Sequence, residues 1–251
     1  MKTNLTGKLT KIIYTSAKNA LFGASLSLFV ALPASAQTVV TEAEWLAWPQ
    51  NCKAGYLLSE WSAGSTYTGR LSGAELTRYK QTHASVSGIS GIHHFCVGML
   101  YVNRARAMSD KTRRQNQLER AVSEFEYSYS RTPSTAAQYS LLTAYYGTAL
   151  HGLKKNEEAQ RMWNRGIEAQ PTQRESYLAM AQAFLDQKQY KQALDILLTY
   201  DSKKQYPTPD GEYFLAFTYY QLHNIEKARE HAENAQRLGY PFPGLLKKLQ
   251  K

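Results

Sequence analysis

From Tyr177 onward, apolar positions recur as Tyr177, Met180, Ala181 and Phe184, and resume after a polar break as Ala193 and Leu197. Spacings of three and four put the first set on one face of a helix, and the second set opens another, so the stretch predicts a helical hairpin. Three neighbours carry a similar pattern. Tyr139, Leu142, Thr143 and Tyr146 precede Ala159, Trp163, Gly166 and Pro171, with about four additional residues expected in the turn between Gly152 and Asn156. Leu215, Ala216 and Tyr219 precede Ala228, Ala232 and Ala235. Gly98 and Tyr101 precede Ala121, Phe125, Ser128 and Pro133, with roughly eleven additional residues between the two halves. That insertion, Ser109 to Gln117, is polar and basic, and either lengthens the helices or forms a loop. Small residues such as Gly98, Ala159, Ala181, Ala193 and Ala228 allow close approach of helix backbones, and Phe125, Tyr146, Trp163 and Phe184 fill the space beside them. A single hairpin cannot bury its own apolar face, so several must stack and the stack needs a terminal cover. Pro243 to Lys251, with Leu245, Leu246 and Leu249 on one face, suits a short capping helix.

Over about residues 91–242 this pattern resembles the tetratricopeptide-repeat family. The resemblance implies an all-α fold: a right-handed superhelix of about four helical hairpins with a C-terminal capping helix and a less regular N-terminal segment. It further implies that the first helix of each hairpin lines a concave groove that receives a peptide or helix of another protein. The family's groove positions fall here on Phe95, Asn103, Ser140, Thr148, Glu175, Gln182, Asp186, Tyr213, Phe217, Tyr220 and Gln221. Of these, Asn103, Thr148, Gln182, Asp186, Tyr213, Phe217, Tyr220 and Gln221 are the expected partner-binding set, with the aromatic last unit as its richest part. The Lys, Asn and Arg clamp with which some members hold an acidic C-terminal tail is not reproduced, so capture of such a tail is not expected. Trp48-Pro49-x-x-Cys52 and the later His93-His94-Phe95-Cys96-x-Gly98-x-x-Tyr101-x-Asn103-Arg104-Ala105 are similar to segments of small exported repeat proteins of Gram-negative bacteria.

The start of the chain fits export. Residues 1–36 hold Lys2, Lys8, Lys11 and Lys18 without an acid, then an apolar run from Ala20 to Leu32, then Pro33 and Ala34-Ser35-Ala36. This is the pattern of a signal peptide cleaved after Ala36, which predicts a periplasmic protein that meets a membrane only through that leader before cleavage. Loss of the four lysines lowers the formal charge from +10 to +6. With the remaining charge spread along the chain and an exported location, nucleic acid is not an expected partner. Two further segments follow the leader. Residues 37–90 carry Trp45, Trp48, Trp61 and the Gly/Ser/Thr-rich stretches Ser62 to Gly73 and Ser85 to Gly91, and residues 91–251 form the helical array with its cap.

In an oxidising compartment the even pair Cys52 and Cys96 reads first as a disulfide tying the N-terminal segment to the first helix of the array. A redox or metal-responsive module, or a thiol enzyme, centred on Cys52, Cys96, His93 and His94 with His83 nearby is the alternative. His-His-x-Cys is not a usual zinc spacing, and adjacent residues on a helix point about 100° apart. The residues after Ala36 hold no Gly-rich phosphate loop, no G-x-S-x-G, no H-E-x-x-H and no C-x-x-C-H. A binding protein without cofactor or metal is therefore expected, rather than an enzyme. Lys111, Arg113 and Arg114, and likewise Lys247, Lys248 and Lys251, read as solvated faces or as contacts for acidic partners or anionic headgroups.

Overall fold

The computed structural model describes residues 39–59, 62, 65–86 and 88–249, with the side chains of residues 82–86 excepted. The expected signal peptide, Trp61 and the His83 side chain lie outside the described residues. Within them every regular element is a helix. Three helices precede the array: α1 (Glu42–Ala47), α2 (Gln50–Leu57) and α3 (Gly73–Val86). The remainder pairs in sequence: α4 (Ile92–Ala107) with α5 (Lys111–Tyr129), α6 (Tyr139–Gly152) with α7 (Asn156–Ala169), α8 (Glu175–Asp186) with α9 (Tyr190–Lys203), and α10 (Pro209–Gln221) with α11 (Ile225–Arg237). The short α12 (Gly244–Leu249) packs against α11. Adjacent pairs also touch, α5 on α6, α6 on α8 and α9 on α10.

Each of the last three pairs turns in the same way. The middle residue of a three-residue connection, Lys154, Lys188 or His223, takes a left-handed conformation with φ of 67°, 58° and 60°. Its N–H donates to His151, Leu185 or Tyr220, and the next N–H donates to Leu150, Phe184 or Tyr219. These paired bonds satisfy carbonyls that the helix end leaves without partners. The turn residues are 34 and 35 positions apart, so the repeat is expressed in backbone geometry as well as in side chains.

This regularity corrects one expectation. The turn after α6 holds no additional residues, because the second pair is in register one helical turn later than its sequence pattern suggests. Gly147, rather than Thr143, is the small residue at the helix crossing: a Cβ there would collide with the Trp163 ring. Ala181 meets the equivalent need opposite Leu197, both fully buried in one cluster. Tyr146, Gly147 and Leu150 are thus the counterparts of Met180, Ala181 and Phe184. The insertion between the first two helices is helical: Asp110 caps α5 by accepting from the Arg113 N–H, and most of Ser109 to Gln117 forms its first two turns.

The N-terminal segment covers the array's first helix. Trp45 stacks on Tyr67 with centroids 4.5 Å apart, and Trp48 and Tyr56 complete a buried aromatic cluster. Tyr67 Oη donates to the Val40 carbonyl, and Arg104 of α4 reaches Glu44 at 2.6 Å. The bond from Arg104 outweighs partial burial and holds the Glu44 carboxyl at about 2. Cys52 and Cys96 form a disulfide joining α2 to α4, with Cα atoms 5.5 Å apart.

Candidate functional site

Between the first helices of the pairs lies an open cavity of about 910 Å³. α6 contributes Leu141, Ala144, Tyr145, Thr148 and His151, and α8 contributes Glu175, Leu178, Ala179, Gln182 and Asp186. Residues spaced three and four apart on each helix share a face, so the two helices form the floor. Val102 and Arg106 of α4 and Arg114 and Leu118 of α5 close one side, and Phe214 of α10 reaches the other. No described residue before Val102 lines it, so the described part of the N-terminal segment does not contribute to the cavity wall.

Of the expected partner-binding set, the structure brings Thr148, Gln182 and Asp186 together in this cavity, along with Glu175 from the wider set of groove positions. Gln182 Nε2 donates to Asp186 at 2.7 Å. Asn103 is exposed beside Val102 but is not part of the lining, and Gln221 also lies outside it. The aromatic residues of α10 turn elsewhere. Tyr213 stacks on Tyr240 at 4.2 Å and on Phe217 at 6.4 Å, while Tyr220 packs under the C-terminal helix with Lys248 Nζ 4.8 Å from its ring centre. Burial, followed by proximity to Tyr213, pushes the Tyr240 hydroxyl up to about 12. These rings contribute to the end of the array, and among the described residues of α10 Phe214 is the one that lines the cavity.

Leu141, Ala144 and His151 were not singled out from the sequence. Counting from Gly147 instead of Thr143 as the small residue of α6 brings Leu141 and His151 onto the expected groove positions, so for these two the missing signal was the register of one helix. Arg106 and Lys154 come from the end of α4 and from a turn, where a helix-face pattern carries no information.

The cavity's charges are unevenly distributed. At one end Arg174 reaches Glu175 at 3.8 Å and Asp210 at 3.6 Å, which balances that rim. At the other, Arg106, Arg114 and Lys154 are exposed and meet no carboxylate within ion-pair distance among the described residues. His151 Nδ1 is 2.9 Å from Asn156 Oδ1.

The cysteine and histidine segment is arranged differently. Both sulfurs are bonded and buried, at 1% and 0% exposure, so neither is a thiol or a metal ligand in this state. His94 Nδ1 sits 2.6 Å from Glu124, and its ring stacks on Tyr127 at 3.8 Å. Burial and then the adjacent His94 lower the His93 imidazole to about 4, which keeps it neutral near pH 7. Among the described residues no group of three or more His, Cys, Asp or Glu side chains is disposed to hold a metal ion, and no helix is long and apolar enough to cross a membrane.

The fold and cavity define a class: an all-helical protein of packed adjacent helix pairs, stacked in repeat-like fashion and tied at its first pair by a disulfide. No protein-family model matches the chain, and no curated protein is significantly similar to it in sequence.

Proposed function

We propose that the protein is an exported tetratricopeptide-type scaffold, a right-handed superhelix of about four hairpins, that holds a peptide or helical segment of another envelope protein in the cavity between α6 and α8. The observation that carries this reading is the open, mixed apolar and polar cavity built from successive first helices, which no described residue of the N-terminal segment lines. The 34- and 35-residue spacing of its left-handed turns supports the repeat assignment. The cavity's size is in the range of sites that bury a ligand rather than graze it. Holding, rather than catalysis, is its role; the signal-peptide pattern and the bonded cysteine pair fit a periplasmic location.

The decisive experiment is photo-crosslinking in cells from Gln182, with a probe at Gln160 on the exposed face of α7 as control. A discrete envelope protein trapped only from Gln182, and lost when Leu178→Asp removes the apolar floor, supports the scaffold. Identical adducts from both positions, or none, would sink it. Mass spectrometry of the purified protein checks export: a mature chain beginning at Gln37 is expected.

A further inference from the structure

We infer that the lengthened start of α5 converts one end of this cavity into a receptor for carboxylate side chains, so that the segment bound is an acidic and apolar peptide. This inference rests on the cavity being the binding site. Leu118 of α5 packs on the end of α6 at Gly152, where a Cβ would come within 2.8 Å of its Cδ1. Arg114 lies one helical turn before Leu118, about 6 Å along the axis. Its guanidinium donates through Nε to the carbonyl of Met108 at 3.0 Å, and so is fixed at the end of α4, two residues beyond Arg106. Lys154 follows Gly152 by two residues and lines the same cavity. The insertion, helical here, thus carries a third cation to the lining that Arg106 and Lys154 also share.

Asp186 is the carboxylate that shares this part of the lining, and it already accepts from Gln182. The three cations therefore leave an excess of positive charge beside the apolar floor of Leu141, Ala144 and Leu178. A bound chain with leucine-like side chains on that floor and aspartate or glutamate toward Arg106, Arg114 and Lys154 satisfies both halves. A terminal carboxylate is not required, in keeping with the absent clamp. Complementary charge at an exposed rim acts on selectivity and encounter more than on total affinity, and it is screened by salt.

Three fluorescent peptides of equal length, sharing the same leucines and carrying aspartate, asparagine or lysine at their polar positions, provide the test against the purified protein. Anisotropy is expected to rank them aspartate, asparagine, lysine, with about tenfold between the extremes at low salt, given the usual strength of exposed ion pairs. The exposed double substitution Arg106→Glu with Lys154→Glu is expected to reverse the order. Equal affinity for all three peptides, with binding abolished by Leu178→Asp or by the space-filling Gln182→Trp, would overturn the acidic preference and leave the cavity reading intact. Affinities untouched by both cavity variants would overturn the two together.

Discussion

Glu212 is nearly buried in the last helix pair and receives three bonds: Lys204 Nζ at 3.0 Å, His231 Nδ1 at 2.8 Å and Asn234 Nδ2 at 3.4 Å. Burial pushes its pKa up, but the bonds from His231 and Lys204 outweigh it and hold the carboxyl at about 2, below the ordinary 4.5. A depressed carboxylate adds stability above its unfolded value, and that stability is lost as pH falls from about 4.5 toward 2. The contribution is at most about 3 kcal/mol. Thermal melts should therefore decline across that window, and Glu212→Gln should lower the melting temperature at neutral pH while flattening the acid decline. An unchanged acid limb in the variant would remove Glu212 from the account. At Lys188 the left-handed φ of 58° strains a residue with a Cβ. Lys188→Gly is expected to stabilise by about 0.5–1 kcal/mol, read as a higher denaturant midpoint at constant slope. The opposite sign holds at Gly166, whose hydrogen faces the hydroxyls of Thr143 and Ser176. Gly166→Ala has to displace that buried pair and should cost about 1–3 kcal/mol.

At the scale of elements, the helix pairs were legible because their small and large residues recur at helical spacing, and the cysteine pairing because two cysteines behind a signal-peptide pattern read first as a disulfide. The register of α6 was not. Thr143 and Gly147 are both small and one helical turn apart, and only packing decides between them: Trp163 occupies the space that a Cβ on Gly147 would need. The aromatic residues expected in the groove depend on packing in a similar way: the C-terminal segment offers Tyr240 to Tyr213 and Lys248 to Tyr220, contacts that a helical spacing pattern does not reveal. The N-terminal helices had no periodicity to read, because α1 and α2 hold their place by the Trp45, Trp48, Tyr56 and Tyr67 cluster and by the disulfide. That bond spans 44 residues, and in the chain-entropy model its removal costs about 4 kcal/mol. Cys52→Ser with Cys96→Ser should accordingly lower the melting temperature, and hydrogen exchange should accelerate first in α1, α2 and α4.

For the whole molecule, stacked pairs make stability a sum of local terms and neighbour contacts, so the two ends are held by different means. The first pair is covered by α2 and the disulfide, a covalent restraint that persists through local opening. The last is covered by six residues of α12, through Leu249, which is buried, and through its carbonyl, which accepts from Arg229 Nη2 at 3.0 Å. That cover is the weaker one, since a short helix gains its order from packing rather than from propensity. Removing residues 244–251 should expose Tyr220 and the apolar face of α11, and hydrogen exchange should then speed up most in α10 and α11, less in α8 and α9, and hardly in α4. The cavity lies mainly on α6 and α8, inside both ends, so peptide affinity should fall far less than stability does. Uniform acceleration along the array would mean that the pairs open as one cooperative body, and the binding surface would then depend on its ends as much as on its own residues.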